Sequence, residues 1–341
     1  MEDRKTMSAG VFKKVGGNLE IVKMSIPKPK QGWVRIKVHY CGVCHSDNSC
    51  KYGILKNEYP RVSGHEVLGE IEKLGDGVDP IKFKIGHLVG VGWNGGNHCG
   101  SCRECLNNNR LFCKNSLITG ISIDGGYAEY IVVPSDALAF IPEGMNAEET
   151  APLLCAGVTV YCSLKNQNFK KGSLVGVLGI GGLGHLAIQF CKKMGYEVIA
   201  MSRGNSKEKT SRELGASHFV DIAKEGWVEQ MKQIGSVECI LLTAPFPHLV
   251  QPSLEALGVN GKLLLLCIIP EPFFADSLTM ILGNKSIVSW YVGNSNDIQD
   301  TLDFAHKNHI KPIIQTFPLQ AVNEVLDKIN EANFRSVIKI L

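Results

Sequence analysis

The chain lacks a dominant charge and a long apolar run. Its 36 Lys and Arg stand against 33 Asp and Glu, a formal net charge of +3. No basic block is long enough to serve a nucleic acid or an anionic membrane surface. The longest apolar run, Leu263 to Ile269, suits a buried strand and is far too short to cross a bilayer. Met1-Glu2-Asp3-Arg4-Lys5 is charged and leads into no apolar segment, so no signal peptide is expected and the expected location is cytoplasmic. Internal repeats and low-complexity tracts are absent too. What is present is 341 residues, 44% hydrophobic and 20% charged, which reads as a soluble globular chain too long for one core. Two domains are expected.

Cysteine is plentiful, with 12 residues. Without a secretion signal these point to a reducing compartment and to metal ligation more than to disulfides. Cys44 and His65 are 21 residues apart, and a thiolate and an imidazole can converge on one zinc ion if the chain folds back between them. Cys155 is the candidate third ligand. Two Cys and one His leave a tetrahedral position open for water or substrate. Cys99, Cys102, Cys105 and Cys113 fall within 15 residues, among Gly, Ser, Asn, Arg and Glu. Four thiolates close a tetrahedral site with no open position, which makes this second zinc structural. The alternative is two disulfides or free thiols, and the short consecutive spacings are hard to bridge pairwise. His98 reads as a bystander. Cys41, Cys50, Cys162, Cys191, Cys239 and Cys267 fit no ligand pattern and read mostly as small buried hydrophobes.

Up to about residue 150 the chain is mainly β. Trp33 to Tyr40 alternates apolar and polar residues, and further strands are expected at Val67 to Leu74, Leu88 to Gly92 and Tyr127 to Val133. From 151 to 289 strands alternate with helices, beginning with strand Leu174 to Leu178 and helix Leu183 to Met194, which predicts a βαβ series and a mostly parallel sheet. From about 290 to 341 two helical runs, Ile298 to Ala305 and Leu319 to Ile329, precede a strand at Val337 to Ile340 that returns to the first domain.

Gly179-Ile180-Gly181-Gly182-Leu183-Gly184 follows a strand and opens a helix. In that context G-x-G-x-x-G permits a tight turn, a close approach of pyrophosphate and close helix–strand packing. The helix N-terminus adds N–H groups for the phosphates. An NAD-binding chain places a carboxylate at the end of the next strand. Here Ser202 stands there, followed by Arg203 and Lys207. A hydroxyl and two cations favour the 2′-phosphate of NADP(H), with NAD(H) possible if the two cations are ordinary solvated charges.

Together these residues resemble the zinc-dependent medium-chain alcohol dehydrogenases. Gly64-His65-Glu66-x2-Gly69-x5-Gly75 looks like that family's zinc signature, and Ala151 to Thr159 is similar to the cinnamyl-alcohol-dehydrogenase-like branch and its microbial relatives. The Cys2His ligand set is itself one known for alcohol dehydrogenase. The resemblance implies an α/β chain: a GroES-like mainly-β catalytic domain over 1–150, completed by 290–341, and a Rossmann doubly wound parallel-sheet domain over 151–289. It implies Cys44, His65 and Cys155 as catalytic zinc ligands, with Glu66 near the metal and able to exchange onto it. It further implies Ser46 as the hydroxyl that passes the alcohol proton and Asp47 as the carboxylate behind the ligand histidine. Thr159 and Leu183 fall on the nicotinamide side, Arg335 on the pyrophosphate and Trp93 on the substrate pocket. Ser49 departs from the pattern, since many relatives carry a histidine there as the outer proton relay. Either His45 takes that place or the proton leaves through the ribose hydroxyl and water. The expected partners are a small alcohol or aldehyde and a second copy of the chain through the strand near Ser286 to Val292. A zinc-free reductase on the same fold and a non-catalytic NADP-binding zinc protein are the competing readings.

Overall fold

The computed structural model describes residues 5–55, 57–331 and 334–341. It divides into two compact units, Met1–Val158 with Val292–Leu341, and Thr159–Tyr291. The boundary lies within helix Ala156–Lys165, so the change of character at about residue 151 precedes it.

In chain order, the first unit contains β1 (Thr6–Phe12), β2 (Leu19–Ser25), β3 (Trp33–Val43), β4 (Arg61–Val62), β5 (Glu66–Leu74), β6 (Leu88–Val91), β7 (Tyr130–Pro134) and β8 (Ala139–Phe140). The second contains β9 (Leu174–Leu178), β10 (Glu197–Ser202), β11 (His218–Asp221), β12 (Val237–Leu242), β13 (Leu257–Leu265) and β14 (Ser286–Ser289). The chain then re-enters the first unit with β15 (Ile314–Pro318) and β16 (Arg335–Lys339).

The first unit holds a three-stranded sheet, β2-β1-β4, and a seven-stranded sheet built round β3. The alternation seen in β3 is real: Val34, Ile36 and Val38 are fully buried, while the residues between them are partly exposed. β3 runs three residues beyond the alternating stretch, through Cys41-Gly42-Val43, where both faces are buried. One edge of β3 pairs with β5. Its other edge takes β7 and then β16, so the strand expected to return does so beside the last residues of β3. The expected strand at Tyr127 starts three residues later, at Tyr130, because the backbone of Tyr127 bonds instead to Ser63 and Gly10; its hydroxyl donates to a buried carboxylate.

The second unit is a six-stranded parallel sheet of order β11-β10-β9-β12-β13-β14. That is the doubly wound order in which strand direction of growth reverses beside the first strand, here between β9 and β12. All five residues of β9 are buried, as a strand covered on both faces requires. Helix Gly184–Lys193 follows β9, with Leu186, Ala187, Phe190 and Cys191 fully buried. Among the described residues no helix is long and apolar enough to cross a membrane.

Candidate functional site

Strand register brings the first ligand pair together. β3 and β5 are antiparallel, with Gly42 opposite Glu66. Cys44 sits just past the end of β3 and His65 just before the start of β5, so a gap of 21 residues in sequence closes across one strand pair. Gly42 has to be glycine, because a Cβ there would overlap the Glu66 carboxylate. On the other side β16 lies with Ser336 opposite Val43, which delivers Arg335 to the same end of the sheet. Cys155 caps the 3-10 turn Ala151–Leu154. The ligand atoms of Cys44, His65, Glu66 and Cys155 all lie within 4.8 Å of one another.

The groups behind these ligands are fully engaged. His65 Nδ1 is 2.9 Å from Asp47 Oδ1, and both residues are 1% exposed. Asp47 Oδ2 accepts from the Tyr127 hydroxyl at 2.7 Å and from the Cys44 amide at 3.0 Å. The other ring nitrogen, His65 Nε2, is buried with no hydrogen-bond partner, and so is Glu66 Oε2. The second carboxylate oxygen, Glu66 Oε1, accepts from Arg335. Trp93 packs its ring edgewise against the His65 ring, with centroids 4.8 Å apart.

The donors bear on one another's protonation. Cys155 holds the Cys44 thiol well below its usual range, and Cys44 in turn pushes Cys155 well up. Burial opposes charge on His65, yet the Asp47 carboxylate and the Cys44 thiolate together raise it. Burial drives the Glu66 carboxyl up to about 7 against the pull of Arg335. A buried imidazole nitrogen without a partner, two thiols and a carboxylate fit a zinc ion, and the carboxylate behind His65 fixes the tautomer that leaves Nε2 as the donor.

Cys99, Cys102, Cys105 and Cys113 form the second cluster, again with all ligand atoms within 4.8 Å. Cys113 and Cys99 sulfurs are 3.7 Å apart. A disulfide requires about 2.05 Å, whereas the edge of a tetrahedron with Zn–S of about 2.3 Å is about 3.8 Å. Backbone N–H groups of Cys99, Cys102 and Asn115 point at sulfurs of this lobe from 3.3–3.4 Å. Such bonds from Ser101 and Cys102 help hold the Cys99 thiol down at about 5, while burial pushes Cys105 up to about 12. His98 is engaged at both nitrogens, by Asp136 at 2.9 Å and Asn94 at 3.1 Å, and stands outside the cluster. Of the remaining cysteines, Cys41, Cys50, Cys162, Cys191 and Cys239 are buried, and Cys267 is half-buried.

In the second unit the glycine loop lies at the carboxyl end of β9. Gly179 has φ +98°, and its carbonyl accepts from Thr243 Oγ1 at 2.6 Å. A Cβ on Gly184 would overlap the Gly179 carbonyl, which is the close helix–strand contact expected of the third glycine. A Cβ on Gly181 would meet nothing within 4 Å, which leaves the room a pyrophosphate requires. Gly182 and Leu183 complete the turn into helix Gly184–Lys193. Thr159 is buried in helix Ala156–Lys165. Ser202 ends β10 and stands opposite Asp221 of β11. The Lys207 ammonium is half-buried and donates to the Ile180 carbonyl of the glycine loop at 2.7 Å. Arg203 lies over the Phe246 ring, 5.5 Å from its centroid.

Other sequence-derived candidates are placed as follows. Ser46 is half-buried and His45 exposed, with His45 Nε2 2.8 Å from Asn330 Oδ1. Ser49 is buried. Arg335 is 4% exposed and donates to Glu66 within the first unit. Tyr127 and Asn330 were missed by sequence reasoning. Neither falls in a spacing or composition pattern, and the only local signal for Tyr127 is the Gly125-Gly126 pair that frees the backbone before it.

Comparison with known proteins bears on the family and the fold. Residues 30–143 match the alcohol dehydrogenase GroES-like domain and residues 182–307 the zinc-binding dehydrogenase domain. An alcohol dehydrogenase of Penicillium expansum is 38% identical over 335 residues, 98% of this chain and 97% of that protein. A cinnamyl alcohol dehydrogenase of Sorghum bicolor superposes with a TM-score of 0.88 at 30% identity, covering 98% of each chain. The CAD of Helicobacter pylori, solved in complex with NADP(H), gives 0.86 at 29% identity, again over 98% of each chain. With a GroES-like unit carrying the cysteine–histidine clusters and a dinucleotide-type unit carrying the glycine loop, the chain belongs to the zinc-binding medium-chain alcohol dehydrogenases.

Proposed function

We propose that the chain interconverts a primary alcohol and its aldehyde with NADP(H), using one catalytic and one structural zinc ion. The observation that carries this is the set of buried Cys44, buried His65 and half-buried Cys155, with Nε2 of His65 unpartnered among the described residues and Asp47 fixed behind it. When bound, zinc supplies Lewis-acid polarisation of the substrate oxygen and the nicotinamide supplies or takes the hydride. Cys44, His65 and Cys155 would hold the metal, with Glu66 as the nearby carboxylate that could join them. Asp47 holds the imidazole in one tautomer, aided by Tyr127. Ser46 Oγ passes the proton of the substrate hydroxyl, with His45 as the next group outward. Trp93 forms an apolar wall beside His65.

Gly179, Gly181, Gly182, Leu183 and Gly184 cradle the pyrophosphate, and Thr159 lies on the nicotinamide side. Ser202, Arg203 and Lys207 receive the 2′-phosphate. An ion pair at about 4 Å is worth roughly 4 kcal/mol at an effective dielectric near 20, before desolvation. Solved relatives carry either nucleotide, so this choice over NAD(H) rests on Ser202, Arg203 and Lys207. The active form is a homodimer joined through β14. That strand ends its sheet, and Phe274, Leu278, Ile281 and Leu282 just before it are exposed. A reducing cytoplasm suits twelve cysteines that are all free thiols.

The deciding experiment compares initial rates with NADPH and NADH on a panel of aliphatic and aromatic aldehydes, using protein of known zinc content. A clear preference for NADPH with about two zinc ions per chain is expected from the two clusters. A preference for NADH would overturn the roles of Arg203 and Lys207. Binding of the nucleotide without turnover of any aldehyde would overturn the catalytic reading.

A further inference from the structure

The residues next to the catalytic cluster are gripped from an unexpected direction. Helix Val322–Asp327 and the turn after it bury Val322, Val325, Leu326 and Ile329 inward. Asn323, Asp327 and Asn330 stand four and then three positions apart, the spacing that puts side chains on one helical face. Each makes a polar contact with a segment remote in sequence. Asn323 brackets Leu19, accepting from its amide at 2.9 Å and donating to its carbonyl at 2.6 Å. Asp327 Oδ1 accepts from Lys51 Nζ at 2.8 Å. Asn330 Oδ1 is 2.8 Å from His45 Nε2.

Two of these contacts flank the segment that matters most. His45 and Lys51 are the two ends of a short helical stretch, His45–Asp47 followed by Asn48–Lys51. Cys44 immediately precedes it, and Asp47, the carboxylate behind His65, lies inside it. Lys51 is 8% exposed, and its ammonium emerges from the buried segment to meet the exposed carboxylate of Asp327. A few residues on, Arg335 grips Glu66 on the second ligand-bearing strand.

We propose that Asp327 and Asn330 are positioning residues of the catalytic metal site. They form a two-point clamp that holds residues 45–51, and with them Cys44 and Asp47, in register with His65. The contact of Asn323 seats the helix against the start of β2, so that the clamp has a fixed base. This inference rests on the two-zinc reading, and it concerns how tightly one of the two ions is retained. Residues that orient metal ligands cost about 10–100-fold in metal affinity when removed.

The test is zinc release from the full-length holoenzyme to a chromogenic chelator. A His65→Ala variant identifies which phase belongs to the catalytic ion. In an Asp327→Ala/Asn330→Ala variant, which removes both acceptors, that phase accelerates about tenfold, by analogy with other orienting groups, while the phase of the Cys99–Cys113 lobe keeps its wild-type rate. Asn330→Ala alone, which changes one exposed side chain and leaves the Lys51 pair intact, gives a smaller acceleration of the same phase. Asn330→Asp, which retains the acceptor for His45, restores the wild-type rate. Unchanged release in both variants, or equal acceleration of the two phases, would overturn the clamp. A wild-type chain that releases one ion only overturns the metal reading, and the inference with it.

Discussion

The two cysteine-rich clusters of the first unit reach the same donor spacing by opposite routes. The Cys99–Cys113 lobe takes all four donors from 15 residues of turn-rich chain, and its supporting N–H groups come from the same stretch. The other cluster draws Cys44, His65, Glu66 and Cys155 from three places in sequence. Its supports are more distant still: Tyr127 behind Asp47, Arg335 beside Glu66. The local cluster is closed by four thiolates and has nothing left to offer a substrate. The dispersed cluster includes a carboxylate that already has an arginine partner, so the fourth position can be given up. A site that must open needs ligands whose positions are set independently, and independent positions require a whole sheet.

That contrast can be broken from either side. The largest effect is expected for Cys44→Ser: loss of a Lewis acid worth several kcal/mol lowers kcat by about a thousandfold or more. Zinc per chain falls by one, and elemental analysis beside the rate assay checks both. Full activity with full metal content would remove Cys44 from the site. Next is Cys105→Ser. It also removes one zinc per chain, but kcat in freshly prepared protein stays within a few-fold of wild type, while limited proteolysis opens the lobe between 99 and 113. A loss of kcat as deep as that of Cys44→Ser would show that the lobe is not merely structural. The smallest is Tyr127→Phe, which takes one hydrogen bond from Asp47 and leaves the other two. Such a bond is worth about 1 kcal/mol, or about fivefold in affinity for the catalytic ion alone. Chelator competition reads this directly, and an unchanged affinity would mean that the hydroxyl serves only to fill its own buried donor.

The comparison also explains what could be read from the sequence. The four-cysteine lobe was legible because its ligands, turns and supports share one local pattern. The glycine loop was legible for the same reason, and so were β9 and helix Gly184–Lys193 around it. For the dispersed cluster the donor types could be read, but not the means of their convergence. The pairing of Gly42 with Glu66 is a register, and register has no signature in a single strand. Tyr127 was read as the start of a strand because β-propensity and alternation say nothing of a backbone that bonds instead to Ser63 and Gly10. The contact of Arg335 with Glu66 follows from the alignment of β16 on β3, which no single strand announces. The stripe of Asn323, Asp327 and Asn330 lay within a segment read only as helical, where polar residues pass for a solvated face.

The pairing of β16 with the last residues of β3 also sets an order of events during synthesis. The lobe at 99–113 has every donor it needs once its own residues have left the ribosome, so it can take up metal while most of the second unit is still unmade. The other site has to wait. Until residues 335–339 emerge, the edge of β3 that leads to Cys44 lacks its neighbour and Glu66 lacks its guanidinium. Domains tend to form as the chain appears, but here the first unit to begin is the last to be finished. On the two-zinc reading, the nascent polypeptide can complete its structural site before β16 completes its catalytic one.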